Sequence, residues 1–278
     1  MFKIIRKVIL FLLVIQFVYI FALKFVNPPI TITQFQQLME QGKLDRDYIS
    51  YEDMGENIKL AVIASEDQKF PTHSGFDLDG IQKAMESNLE GKKLRGGSTI
   101  SQQVAKNVFL WQGRSWLRKG LEVYYTFMIE KIWGKQRILE MYLNTSEMGI
   151  GVFGIEAASQ YYFKKPAIDL TKNEAARIAA ALPLPQKYNV NPPSPYISKR
   201  ASSIQRQMRN LMFDYVRRVA EDCGMKNVEY LGFFDAVHHE NNDELGASYH
   251  PNQIAHNKLA HAIAPYIATM TGWDLKEL

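Results

Sequence analysis

Glu66 and Asp67 stand side by side ahead of Gln68-Lys69-Phe70, with His73 and Gly75 close behind. A carboxylate at the end of an apolar helix is half-desolvated, and desolvation raises its pKa towards the range where it takes a proton near neutral pH. That is general-base chemistry; the competing reading is a helix-end acid without a task. Further on, no acidic residue occurs between Glu90 and Glu122, while Lys92, Lys93, Arg95, Lys106, Arg114, Arg118 and Lys119 do. One-sided charge of this kind suits an anionic group held beside acid/base chemistry, against the alternative of a solvated basic face.

A third piece joins the two. Gly96-Gly97 free the backbone just before Ser98-Thr99-Ile100-Ser101-Gln102-Gln103-Val104-Ala105-Lys106-Asn107, and the N–H groups opening a helix there favour an anion. Ser98 is expected to cap that helix, which runs to about Leu110. Ser98, Gln102 and Lys106 then recur at i, i+4 and i+8 as one polar face. The plainer reading is a flexible loop with an ordinary serine cap. Arg118 and Glu122 stand at i, i+4, the spacing of a surface ion pair.

The elements that must position these residues read as helices. Asn57 to Ser65 is a short apolar helix running into Glu66, and helical spacing recurs around Gly80 to Leu89. Ser115 caps a helix with the apolar stripe Leu117, Leu121, Tyr125, Met128 and Ile132. Gln136 to Leu143 is helical. Glu147 to Gly154 is a glycine-punctuated turn rather than a phosphate loop. Thr171 to Glu174 is a capping box opening an alanine-rich helix that stops near Pro183 and Pro185. A long polar helix runs from about Tyr196 to Asp222, with Gly224 at its end. No alternating strand stands out, so a mostly α fold is expected.

Val8 to Val26 is apolar except for Gln16 and Lys24, and three cations precede it: Lys3, Arg6 and Lys7. A helix over that run spans roughly 28 Å, enough to cross a bilayer. The positive-inside rule puts the N-terminus in the cytoplasm and the rest outside. A cleaved signal peptide is the alternative, although no A-x-A pattern follows. Expected organisation is residues 1–27 as cytoplasmic tip and transmembrane anchor, 28–56 as juxtamembrane segment, 57–209 as catalytic domain and 210–278 as helical extension. A single cysteine, Cys223, excludes an intrachain disulfide, and a net charge of +4 does not suggest nucleic acid. The tail holds His238, His239, His250, His256 and His261, whose spacings fit no recognised zinc template. Packing or partner contact suits it better.

In order and spacing, three segments resemble the signatures of the family 51 glycosyltransferases, the peptidoglycan polymerases: Glu66 to Gly75, Gly96 to Asn107, and Arg118 to Glu122. Arg137 to Asn144, and Leu170 to Pro185, extend the resemblance, which covers roughly Asn57 to Met208. One anchor with one domain is similar to the monofunctional biosynthetic transglycosylases. The resemblance implies a lysozyme-like helical lobe plus a smaller membrane-facing lobe, preceded by one N-terminal transmembrane helix. The implied substrates are lipid II and the growing lipid-linked glycan strand, joined β-1,4 with inversion and release of polyprenyl pyrophosphate.

Residue by residue, the resemblance makes Glu66 the general base and Glu122 the second catalytic carboxylate. Lys106, Arg114, Arg118 and Lys119 would hold the pyrophosphate. Asp67, Phe70, His73, Gly97, Ser98, Thr99, Gln102, Gln103 and Asn107 would serve substrate binding, with Glu140 and Asn144 in support. A divalent cation, Mg2+ or Mn2+, near Glu122 stays open. Ser101 replaces the family's commoner threonine and keeps the hydroxyl; Leu121 stands where some members carry a lysine, so that contact is not carried over. Thr145 to Gly149 departs from the family's usual form. Lys92, Lys93 and Arg95 fall in a loop expected to face the membrane, where anionic headgroups are a second reading. No serine is followed three residues later by lysine, and neither S-D-N nor K-T-G occurs, so no penicillin-binding transpeptidase kit is expected. Crosslinking would fall to partners such as penicillin-binding transpeptidases, alongside division or elongation proteins. A membrane-anchored lytic hydrolase or a non-catalytic scaffold are the rival readings, and the expected location is the cytoplasmic membrane with an extracytoplasmic domain.

Overall fold

The computed structural model describes residues 2–80, 82, 97–113 and 115–222, with side chains in 3–80, 82, 97–113 and 115–215. The chain divides into two compact units, Met1–Asp214, which holds every contact described here, and Tyr215–Leu278. The expected helix over Gly80 to Leu89, the cations Lys92, Lys93, Arg95 and Arg114, the Gly224 helix end and the tail histidines lie outside the described residues.

The described chain is mostly helical. Helix α1 (Phe2–Ala22) is long and apolar enough to cross a membrane, and nearly all of it is exposed. Helix α2 (Ile32–Gln41) opens on a Thr31–Gln34 capping box and closes on left-handed Gly42. Strand β1 (Asp45–Arg46) and a 3₁₀ turn at Glu52–Met54 lead into α3 (Glu56–Glu66). Next come α4 (Ile100–Phe109), α5 (Trp116–Ile132) and α6 (Lys135–Thr145). Strands β2 (Glu147–Gly149) and β3 (Val152–Phe153) precede α7 (Ile155–Phe163), a 3₁₀ turn at Ala167–Asp169, α8 (Lys172–Ala181) and α9 (Pro195–Asp222).

Helix α4 is the hub, packed on α5 and α6, while α3 packs on α8. Ile58, Ala61 and Val62 of α3 are buried, and α3 packs on the alanine-rich α8, whose small side chains let two backbones approach closely. The Thr171–Glu174 capping box forms as expected, and Ser115 accepts the Arg118 N–H to cap α5.

Two sequence expectations are corrected. The segment from Glu147 to Gly154 is a hairpin: β2 and β3 run antiparallel, and β1 adds parallel to β3, pairing Asp45 with Val152 and Arg46 with Phe153. Strands of two or three residues are too short to show alternation. Along α5, Leu117 is exposed, and the most buried positions are Glu122, Thr126 and Ile129. A partly polar stripe turns inward because it backs onto Gly75: with φ +90° there, an added Cβ would sit 2.9 Å from both Thr126 Cγ2 and Glu130 Cγ.

Candidate active site

The site is assembled where the end of α3 meets α4, on which α5 packs. Glu66 is the last residue of α3, delivered by an apolar helix whose other faces are buried in the core. Gln103 Nε2 donates to Glu66 Oε2 at 2.9 Å. Tyr142 of α6 fixes which way that amide points, its hydroxyl donating to Gln103 Oε1 over a long 3.4 Å. Burial pushes the Tyr142 phenol well up, with Glu66 adding to it, so the hydroxyl keeps its proton as a donor. Burial also raises the Glu66 pKa; the Gln103 bond and the charge of Arg200 on α9 pull it back, and Asp67 raises it. Among the described residues Glu66 Oε1 makes no hydrogen bond and is available to an incoming hydroxyl.

Asp67 has a different task from its neighbour. It is buried, and its carboxylate accepts from His73 Nε2 at 2.8 and 3.0 Å and from the Ile100 backbone N–H at 3.0 Å. His73 Nδ1 accepts the Gly75 N–H, which leaves the proton on Nε2, pointing at Asp67. The anion expected at the glycine-rich start of α4 is therefore supplied by the protein itself: Asp67 occupies the helix N-terminus.

The cap is corrected as well. Thr99, not Ser98, is the N-cap; its hydroxyl accepts the Gln102 N–H, and Gln102 Oε1 accepts the Thr99 N–H. Thr99 Oγ1 also donates to Gly75 O at 2.7 Å. Thr99 and Gln102 are thus buried and spent on local structure, while Gly97 and Ser98 are exposed. The polar face drawn through Ser98, Gln102 and Lys106 does not form as one surface, because Gln102 turns back to close the capping box. Phe70 is core, edge-on to His73 and with Lys135 Nζ 4.6 Å above its ring. Ser101, through its retained hydroxyl, donates to Glu130, which also pairs with Lys135.

The cations gather one turn along α4. Glu122 is only 3% exposed, yet it takes Arg118 Nη1 at 2.7 Å on one oxygen and Lys119 Nζ on the other. Lys106 is half-buried beside them with Asn107 following, and its ammonium makes none of these pairs. Burial lowers the Lys106 pKa, Glu122 raises it, and Arg118 and Lys119 lower it further. Among the described residues three cations stand against one carboxylate here, and Lys106 makes no ion pair. Among the described residues Arg118 Nε is buried without a partner. Gln103 and Lys106 stand at i, i+3, so the group that orients Glu66 and this lysine share a face of α4 about 4.5 Å apart along its axis.

Glu140 and Asn144 lie further along α6. Asn144 is buried and holds Ile49 at both ends, accepting its N–H at 3.2 Å and donating to its carbonyl at 2.9 Å. Glu140 pairs with Arg137 at 2.7 Å, and burial raises its pKa. A divalent ion does not fit the Glu122 site: both carboxylate oxygens are taken by cations, and no group of three His, Cys, Asp or Glu residues is poised for a metal among the described residues. Tyr142 lies within the family segment Arg137 to Asn144 but has no role assigned from sequence, and Arg200 lies in none of the quoted segments; a tyrosine within a helix and an arginine in a basic helix acquire their meaning only when folding brings them to Glu66.

Residues 32–209 match the family model described as Transglycosylase. A biosynthetic peptidoglycan transglycosylase from Mannheimia succiniciproducens is 53% identical over 183 residues, covering 66% of this chain and 75% of that protein. One from Xanthomonas axonopodis pv. citri is 49% identical over 199 residues, 69% and 81% of the two chains. One from Shewanella oneidensis is 45% identical over 219 residues, 77% and 94%.

Proposed function

Because the chain belongs to the transglycosylase family, as a peptidoglycan glycosyltransferase, we propose that it polymerises lipid II with Glu66 as general base and the Lys106 cluster as pyrophosphate grip. The Glu66 carboxylate takes the proton from the 4-hydroxyl of the acceptor's terminal N-acetylglucosamine. The freed oxygen pair attacks C1 of the lipid-linked donor, forming a β-1,4 bond with inversion. The C1–O bond to phosphate breaks, and polyprenyl pyrophosphate leaves with the electron pair. Lys106, with Arg118 and Lys119 steadied by Glu122, balances the charge that builds on it; Arg114 is assigned to the same grip by resemblance.

One observation carries this reading: among the described residues, a carboxylate with a raised pKa and one oxygen without a hydrogen bond is held by Gln103, about one helical turn from Lys106, which makes no ion pair and stands beside Arg118 and Lys119. Asp67, His73, Thr99 and Gln102 build the frame, and Gly97 and Ser98 are exposed to reach substrate. Helix α1 serves as a single-pass anchor with its N-terminus cytoplasmic and the catalytic domain on the outer face. Exposed Trp116, Leu117 and Phe127 of α5, with Ile32, Phe35 and Met39 of α2, suit contact with the bilayer interface.

The test supplies purified protein with labelled lipid II and, separately, with isolated sacculi. Glycan polymer from lipid II and intact sacculi are the expected results. Cleaved sacculi with no polymer would point instead to a lytic hydrolase.

A further inference from the structure

The end of the apolar helix is not left loose. At its last turn the Lys24 N–H bonds to Phe21 O instead of reaching back to Ile20 O, which leaves the Ile20 carbonyl without its helical partner. Trp133 Nε1 donates to it at 2.8 Å. Leu23 O accepts from Arg137 Nε at 3.1 Å and from Nη2 at 3.0 Å, and Nη2 also reaches Val26 O at 2.8 Å. Glu140 holds the remaining arm of the guanidinium at 2.7 Å. Ile20 in the last turn of α1 and Leu23 just beyond it are buried although most of α1 is exposed, and Tyr19 packs edge-on to Phe109.

We infer that Arg137 and Trp133 clamp the C-terminal turn of α1, making the anchor a rigid strut that sets the height and tilt of the candidate site over the bilayer. Chemistry and position agree. Free carbonyls and the negative end of the helix dipole meet a planar cation with several donors, held in place by a carboxylate. The clamp also lands on the elements that carry the site: Trp133 caps α5, which bears Arg118, Lys119 and Glu122, and Arg137 opens α6, which bears Tyr142. A flexible tether would need none of these bonds. A strut matters for a substrate whose reacting diphosphate is fixed at headgroup depth, because Lys106 must then stand at that depth.

The inference rests on the proposed substrate only for its activity arm. Full-length protein is placed in phosphatidylethanolamine–phosphatidylglycerol vesicles, and amide exchange is read over residues 20–27 for wild type, Arg137→Met, Arg137→Lys and Trp133→Phe. Exchange should accelerate roughly tenfold in Arg137→Met, less in Trp133→Phe, and recover partly in Arg137→Lys. On lipid II in the same vesicles, Arg137→Met should lose about threefold to tenfold in kcat/KM, yet stay within about twofold of wild type on a short-chain analogue in detergent. Unchanged exchange, or equal losses on both substrates with a lowered Tm, would overturn the strut. If Arg137→Met does not fold, the same exchange and substrate comparisons on Trp133→Phe decide it. A wild type that polymerises nothing would count against the proposed function and leave the exchange arm to decide the strut.

Discussion

Gln103 Nε2 stands 2.9 Å from Glu66 Oε2, while Tyr142 holds the opposite end of the same amide. The bond fixes one oxygen of a partly desolvated carboxylate, and among the described residues the other oxygen makes no hydrogen bond. It also works against burial: Gln103 stabilises the charged form that desolvation disfavours. Glu66 is thus poised between a group too acidic to take a proton and one too buried to lose it.

Replacing Glu66 by Gln should cost about 10² to 10⁴ in polymerisation rate, the usual contribution of a general base. The same change should raise thermal stability at neutral pH. Because the folded pKa lies above the unfolded one, the ionised carboxylate costs stability, a cost that grows as pH rises from the unfolded value through the folded one. A thermal melt at pH 7.5 should show Tm up by roughly 1 to 3 °C. Retained polymerisation would remove Glu66 from the base role.

The acidic limb of kcat/KM against pH should lie above the ordinary glutamate range, with activity rising as Glu66 loses its proton. Arg200 pulls that pKa down, so Arg200→Met should move the limb to higher pH. Gln103→Leu should move it the same way. A limb that stays put in both variants would show that a different group titrates.

Lys106→Gln should lower kcat/KM by about 10² to 10³, as for other losses of a donor to a developing anion. Its loss should be felt in kcat as well as KM if the contact strengthens as the leaving group departs. Glu122→Gln should do harm of a second kind: Arg118 and Lys119 lose their shared counter-ion, so the cluster repels itself. Raised salt should then recover part of the stability of Glu122→Gln, since screening weakens like-charge repulsion, and none of the activity of Lys106→Gln.

Asp67→Asn should destabilise by about 1.5 to 3 kcal/mol, because two donors, His73 and the Ile100 N–H, lose a charged acceptor. Combined with His73→Ala it should be less than additive, with a coupling of about 0.5 kcal/mol or more in a chemical-denaturation cycle. Strict additivity would deny the pairing.

Much was legible in the sequence. The apolar N-terminal run, the helices around the site, the Thr171 and Ser115 caps, the general-base candidate and the excess of cations before Glu122 follow from local composition and short spacings, and helices satisfy their hydrogen bonds locally. What tertiary structure decided is the division of labour among residues of similar type. Asp67 and Glu66 are adjacent, yet one fills the start of α4 and the other faces the site, because their partners come from 33 and 37 residues away. Gln102 and Gln103 are adjacent, yet one closes a cap and the other orients Glu66. The three short strands, the arrival of Tyr142 and Arg200 at Glu66, and the grip of Arg137 on Leu23 across 114 positions all depend on contacts between distant segments. Local sequence sets which groups are available; only packing decides which of them are consumed by the frame and which are left for chemistry.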